Sequence, residues 1–130
     1  MSKFVLDAST LLAFVKEEPG VDTMPAESEI ISFSVISSVN LAEAHSKLVM
    51  KGIPANDAWE AIMAPIGEVA DFNPHHAKRA GGLILQTRHL GLSLGDRACL
   101  ALAIELGVPV YTADRVWSQL DLGIPIHVIR

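Results

Sequence analysis

Fifteen residues of this 130-residue chain are acidic, and four of them stand where a solvated charge is not the default. Asp7 directly follows the apolar run "KFVL", and Asp114 follows "VPVYT" with only Ala113 between. Asp96 lies three residues after Ser93, and Glu43 three residues after Asn40, so each falls in the first turn of a helix that those residues could cap. A carboxylate left unpaired in a dry place is costly enough to shift its pKa or to require a partner. Several carboxylates gathered together repel one another unless a cation neutralises them. An all-oxygen donor set without clustered cysteine or histidine suits Mg²⁺ or Mn²⁺ over zinc. The remaining acids, Glu17, Glu18, Asp22 and Glu27 among them, fall in loops or on polar helix faces, where charge needs no explanation.

The elements that must position these four groups follow from periodicity and caps. "KFVL" reads as a strand, with Ser9 or Thr10 capping a helix through "LLAFVKE". A link rich in breakers, with Pro19, Gly20 and Pro25, leads to "IISFSVI", whose partial alternation predicts a strand. Ser37, Ser38 or Asn40 caps the helix "LAEAHSKLVMKG", and Pro54 opens another. "EVADF" predicts a short strand, and Asn73-Pro74 begins a helix running to about Leu90. Ser93 starts "LGDRACLALAIELG", which Gly107 ends; "VPVYT", a short helix "DRVWSQL" and the strand "IPIHVI" complete the chain. The pair Gly81-Gly82 inside a predicted helix suggests close packing. Strands alternating with helices imply an α/β fold, a parallel sheet covered on both faces. No repeat or linker divides residues 1–130, so a single domain is expected.

Parallel sheets bind ligands beyond the carboxyl ends of their strands, where helix amino ends converge. Two of the four acids end strands and two begin helices, so all four can reach one edge of the sheet. The histidines form no ligand pattern: His75 and His76 are adjacent, and His45 is two residues from Glu43. Cys99, the only cysteine, lies in "ACLALAI" and reads as a small buried hydrophobe. Half of the residues are hydrophobic and 19% are charged, which argues for a packed core with some apolar surface left over. The net charge of −5 gives no overall footprint for nucleic acid. Basic groups are available locally: Lys47 and Lys51 share a helical face, and Arg97 and Arg115 each follow a site acid. A single cysteine, no signal peptide and no apolar run of membrane-spanning length predict a cytoplasmic protein with no membrane partner.

Taken together, "VLDASTLL", "NLAEAHSKL", "LSLGDRACLALA" and "YTADRVW" resemble, in order and spacing, the four motifs of the PIN-domain family. The similarity is greatest to the VapC-like toxin ribonucleases of bacterial toxin–antitoxin pairs, and it covers essentially the whole chain. The resemblance implies a three-layer α/β/α sandwich with a central, mainly parallel sheet. It also implies an endoribonuclease dependent on Mg²⁺ or Mn²⁺ that cleaves RNA with a metal-activated water. By position Asp7, Glu43, Asp96 and Asp114 would hold the metal, with Ser9 and Thr112 as supporting hydroxyls. Arg97, Arg115 and Lys47 would contact RNA. The implied partners are an RNA substrate, a cognate antitoxin and a second copy of the chain, with "LLAFVKEEPG" and the helices carrying Trp59 and Met63 as contacts. The stretch "VDTMPAESE" departs from the family by placing a proline where relatives often continue a second helix.

Other α/β phosphoryl chemistry fits less well. An aspartyl phosphatase would carry a second Asp where Ser9 stands, and a phospho-receiver domain would need a Lys beyond Tyr111, where there is none. A non-catalytic PIN-like scaffold binding RNA or protein is the alternative from another class, and it has no need to hold four mutually repelling acids. That repulsion leads to the expectation that neutralising an acid, as in Asp96→Asn, stabilises the metal-free fold.

Overall fold

Among the described residues five short strands, none longer than four residues, carry the arrangement. The computed structural model describes residues 2–130. In chain order the elements are β1 (Phe4–Leu6), α1 (Ala8–Val15), α2 (Glu27–Phe33), β2 (Ser34–Ser37), α3 (Ser38–Met50), α4 (Ala55–Met63), β3 (Glu68–Ala70), α5 (Pro74–Gly82), α6 (Ile84–Thr87), α7 (Leu94–Leu106), β4 (Val110–Thr112) and β5 (Ile126–Val128). Single turns of 3-10 helix lie at Val21–Thr23, Arg88–Leu90 and Arg115–Gln119.

The sheet order is β3-β2-β1-β4-β5, and every pairing is parallel. The chain works outward from β1 to β3 on one side, then returns to lay β4 on the other side of β1. The boundary between β1 and β4 is therefore the topological switch point, beyond whose carboxyl ends open α/β sheets form a crevice. Asp7 leaves β1 at this boundary, and Thr112 is the last residue of β4.

Alternation along the strands builds two apolar faces. Val5, Val35 and Val110 meet Cys99, Leu100, Leu102 and Ala103 of α7 together with Trp117. On the other face Ile36 packs with Leu11, Leu12, Leu41, Leu48 and Ile62 from α1, α3 and α4, while Phe4 and Leu6 meet Ala13, Met24 and Ile30. Helices thus cover both faces, giving the three-layer α/β/α arrangement. Residues 98–103 of α7 are all buried, which accounts for its nearly unbroken apolar sequence.

Several local expectations hold. Ser93 caps α7 and Asn73 caps α5, with Pro74 at its first position; Ser37 is the cap of α3. Four differ. The cap of α1 is Asp7 itself, not Ser9 or Thr10. Most of "IISFSVI" is helical: Glu27 and Glu29 occupy the first turn of α2, Ile30 is buried while Ile31 is exposed, and the strand starts only at Ser34. Ser34 is where the chain leaves the helix, its Oγ accepting from the Gly67 amide at 3.0 Å. The helix expected to run from Asn73 to Leu90 breaks after Gly82 and again after Thr87. The first half of "LLAFVKEEPG" is unavailable to a partner, because Leu11, Leu12 and Ala13 are buried in the chain's own core.

Close packing does not explain Gly81-Gly82 either, since a Cβ at either position would meet nothing within 4 Å. Gly81 is helical and has no positive φ. Gly81→Ala is therefore expected to raise stability by about 0.5–1 kcal/mol, the ordinary cost of glycine in a helix. Urea unfolding of parent and variant measures this, and a lower midpoint for the variant would show that the break at the end of α5 depends on the glycine.

Candidate functional site

Asp7 is buried, 5% exposed, and each of its oxygens is engaged. Oδ1 accepts from the Thr10 amide at 2.8 Å, from Ser9 Oγ at 2.7 Å and from Thr10 Oγ1 at 3.0 Å. Oδ2 accepts from Thr112 Oγ1 at 2.6 Å. The loop after β4 sets the direction of two of these bonds. The Ala113 amide donates to Ser9 Oγ at 2.9 Å and the Asp114 amide to Thr112 Oγ1 at 3.0 Å, so each hydroxyl's own proton is turned onto Asp7. These donors favour the charged carboxylate, but burial outweighs them and pushes the Asp7 pKa above its ordinary value.

Glu43, half-buried on α3, is held from two sides. Asn40, 1% exposed, donates through Nδ2 to Glu43 Oε1 at 2.8 Å and to the Gly95 carbonyl at 2.9 Å. Gly95, in the first turn of α7, makes room for the carboxylate: a Cβ there would overlap both Glu43 oxygens. Asp96, the next residue, is half-buried and forms a reciprocal cap with Ser93. Its Oδ2 accepts from the Ser93 amide at 2.9 Å, while Ser93 Oγ accepts from the Asp96 amide at 3.1 Å. Asp114 is exposed and caps the 3-10 turn Arg115–Gln119, its Oδ1 accepting from the Val116 amide at 3.1 Å.

Asp7, Glu43 and Asp96 all lie near enough to the buried Cys99 for their charges to be felt there. Burial lifts the Cys99 thiol well above its ordinary range, and the negative charges of Asp7, Asp96 and Glu43 all raise it further. Asp114 is tied to Asp7 only through its backbone amide and Thr112. Among the described residues no three carboxylate, imidazole or thiol groups are close enough to enclose a metal ion as they stand. Asp96 is turned onto its own cap and Asp114 onto Val116. The donor set nevertheless fits a hard divalent cation: oxygen ligands only, a glycine cradle for one of them, and a buried carboxylate whose charge has no cationic side chain against it.

The basic candidates are differently placed. Arg97 donates from Nη1 to the Ala80 carbonyl at 2.8 Å, and its Nε is buried without a partner. Arg115 donates from Nε to the Arg130 carbonyl at 3.1 Å. Lys47 is exposed one turn beyond Glu43, beside Lys16 and Lys51 over Leu12 and Leu48. Asn40 and Gly95 are the site residues missed as such in the sequence. The spacing of Asn40 and Glu43, at i and i+3, was the available signal for the first; Gly95 had none.

The two buried-site aspartates are expected to behave oppositely when neutralised. The native state holds the Asp7 proton to higher pH than the unfolded chain, whose value is near 3.8. Stability from this group is therefore fully present below that value and is lost as pH rises through the folded pKa. Asp7→Asn removes the burden, and in chelator at pH 7 it should melt above the parent. Asp96→Asn gives up a charge in the first turn of α7 and should melt lower, by about 0.5 kcal/mol, reversing the expectation from sequence alone. Thermal melts between pH 3 and pH 8 (roughly the span over which a buried carboxylate titrates) separate the two.

The sequence profile of the PIN domain matches residues 4–122. No curated protein sequence matches the chain. The fold is similar to that of a chain in the DNA-bound VapBC of Salmonella typhimurium, at a TM-score of 0.73 and 21% identity over 100% of both chains. It is similar also to VapBC2 of Rickettsia felis bound to a fragment of its promoter DNA, at 0.72 and 16% over 96% and 97% of the two chains. A third likeness is to VapC20 of Mycobacterium tuberculosis, a Sarcin-Ricin loop cleaving toxin, at 0.69 and 16% over 95% and 99%. With the profile spanning most of its length and the architecture shared end to end, the chain belongs to the PIN-domain family.

Proposed function

We propose that the chain is a metal-dependent endoribonuclease and the toxin member of a toxin–antitoxin pair. The observation that carries this reading is the buried Asp7 carboxylate at the β1–β4 switch point, with the Glu43 carboxylate seated against Gly95, the residue before Asp96. Support comes from the family and from the fold shared with VapBC chains and with VapC20, a toxin that cleaves the Sarcin-Ricin loop.

In this reading Asp7, Glu43, Asp96 and Asp114 hold Mg²⁺ or Mn²⁺. When bound, the ion lowers the pKa of water and neutralises charge developing on the phosphate and the leaving oxygen. The chain's own residues prepare the place. Ser9 and Thr112, their protons fixed by the amides of residues 113 and 114, orient Asp7. Asp96 and Asp114 are each held by a single amide hydrogen bond, and both carboxylates would hold the ion once that bond is given up. Lys47 and Arg115 lie on the surface as candidate phosphate contacts. Arg97 donates to the Ala80 carbonyl and so ties α7 to α5, which leaves less of its guanidinium for RNA. An antitoxin and a second copy of the chain would use apolar surface such as Trp59, which is 43% exposed. No helix among the described residues is long and apolar enough to cross a membrane.

One observation favours the rival reading of a non-catalytic scaffold: Asp7, Asp96 and Asp114 each cap a helical turn. Capping accounts for one oxygen of each. It accounts neither for Glu43, which caps nothing, nor for two hydroxyls turned onto a carboxylate that burial disfavours.

Expression of the chain alone is expected to arrest growth, with Asp7→Ala harmless. RNA hydrolysis should need Mg²⁺ or Mn²⁺, stop with a chelator and leave 5′-phosphate and 3′-hydroxyl ends. A 2′,3′-cyclic phosphate would rule out attack by water. Gly95→Ala, which pushes Glu43 from its place, should lower cleavage by about 10–100-fold while the fold is retained, a loss typical of disturbed ligand orientation. Cleavage assays and circular dichroism on the same preparation check both parts.

A further inference from the structure

Asn40 carries an unusual pattern for a buried amide. Both groups facing its Nδ2, the Glu43 carboxylate and the Gly95 carbonyl, can only accept hydrogen bonds. Chemistry therefore fixes the amide orientation, and the same fixing leaves Oδ1 buried with no partner. Buried acceptors are seldom left unsatisfied in native folds. An apolar residue of similar size would fill the space between α3 and α7 without that defect. The unpaired oxygen is thus the consequence of having two N–H donors at this point.

Those donors join two helices that reach the centre from different parts of the sequence. One proton restrains the Glu43 carboxylate, three residues on; the other grips the backbone of α7 one residue before Asp96. Gly95 completes the arrangement from the far side, since any larger residue there would displace the carboxylate. Among the described residues Glu43 caps no helix and makes no salt bridge within 4.0 Å, so the amide and the cradle are the restraints that set its position.

We propose that Asn40 is a positioning residue for the acids: it holds Glu43 against the first turn of α7, beside Asp96, in readiness for a divalent cation. This rests on the metal-dependent reading above. Preorganisation of this kind is how supporting hydrogen bonds raise the affinity of a ligand set, and their loss ordinarily costs 10–100-fold.

The test is calorimetric titration of Mn²⁺ alone into the metal-free chain, in four forms: parent, Asn40→Leu, Glu43→Gln and the double variant. Asn40→Leu keeps the branching at Cγ and lacks both donors; Asn40→Ala replaces it if the larger leucine side chain does not let the variant fold. Mn²⁺ affinity is expected to fall about 10–100-fold in the Asn40 variant. The same change made in the Glu43→Gln background should cost little more, because Asn40 acts through Glu43. A merely structural role would lower the melting temperature without this coupling. Mn²⁺ binding equal to the parent's, or losses that add in full, would overturn the proposal while leaving the metal-dependent reading intact. A parent that binds no Mn²⁺ overturns both.

Discussion

Everything at the sheet's carboxyl edge depends on one unfavourable act, the burial of the Asp7 carboxylate. Water is replaced by four side-chain and backbone donors, all supplied within a few residues of Asp7 or from the end of β4. Even this replacement leaves the charged form disfavoured. A fold optimised for stability alone would place Asn or Ser at the same cap, since either meets the α1 amide without a buried charge. The carboxylate instead sits where the sheet reverses its strand order, the position at which parallel folds gather ligands. Local cost and topology point to the same residue.

In the proposed reading the three aspartates would serve the fold and the site with the same atoms. A cap bond is worth about 1 kcal/mol, and an amide at a helix end can turn to water when its side chain leaves. In that reading Asp96 and Asp114 are restrained weakly enough to be recruited and firmly enough to be prepositioned. Glu43 has no such local employment. Its position comes from Asn40 beside it and Gly95 opposite, so the acid least explained by helix structure is the one with dedicated supports.

What the sequence revealed follows from how local each signal is. Ser93, three residues ahead of Asp96, and Asn73 ahead of Pro74 announce helix starts within a few residues. "VPVYT" and "KFVL" announce strands by their apolar runs. "IISFSVI" failed because seven residues rich in β-branched and aromatic types satisfy a strand pattern and a half-buried helix alike; the acids at 27 and 29, in a helical first turn, were the tie-breaker. The bond from Thr112 to Asp7 spans 105 residues, and the approach of Glu43 to Gly95 crosses between helices. Contacts of that range leave no periodicity behind. The four acids were nevertheless legible, because being out of place in their own neighbourhood is a local property.

The same reasoning explains why α7 is fastened as it is. Its apolar middle would be satisfied by several small rotations or shifts against the sheet, since a helix buried nearly all round presents similar surface at each. Two polar ties remove that freedom. Asn40 reaches from α3 to the Gly95 carbonyl, and Arg97 reaches from α7 to the Ala80 carbonyl in the last turn of α5. Each tie leaves one buried atom unpaired, Asn40 Oδ1 and Arg97 Nε. Polar groups under a core are costly when half-satisfied and specific when placed. Here the ties attach at Gly95 and Arg97, on either side of Asp96, and join α7 to α3 and α5, so the defects gather around the first turn of α7. An apolar helix buries itself readily; its first turn has to be told where to stop.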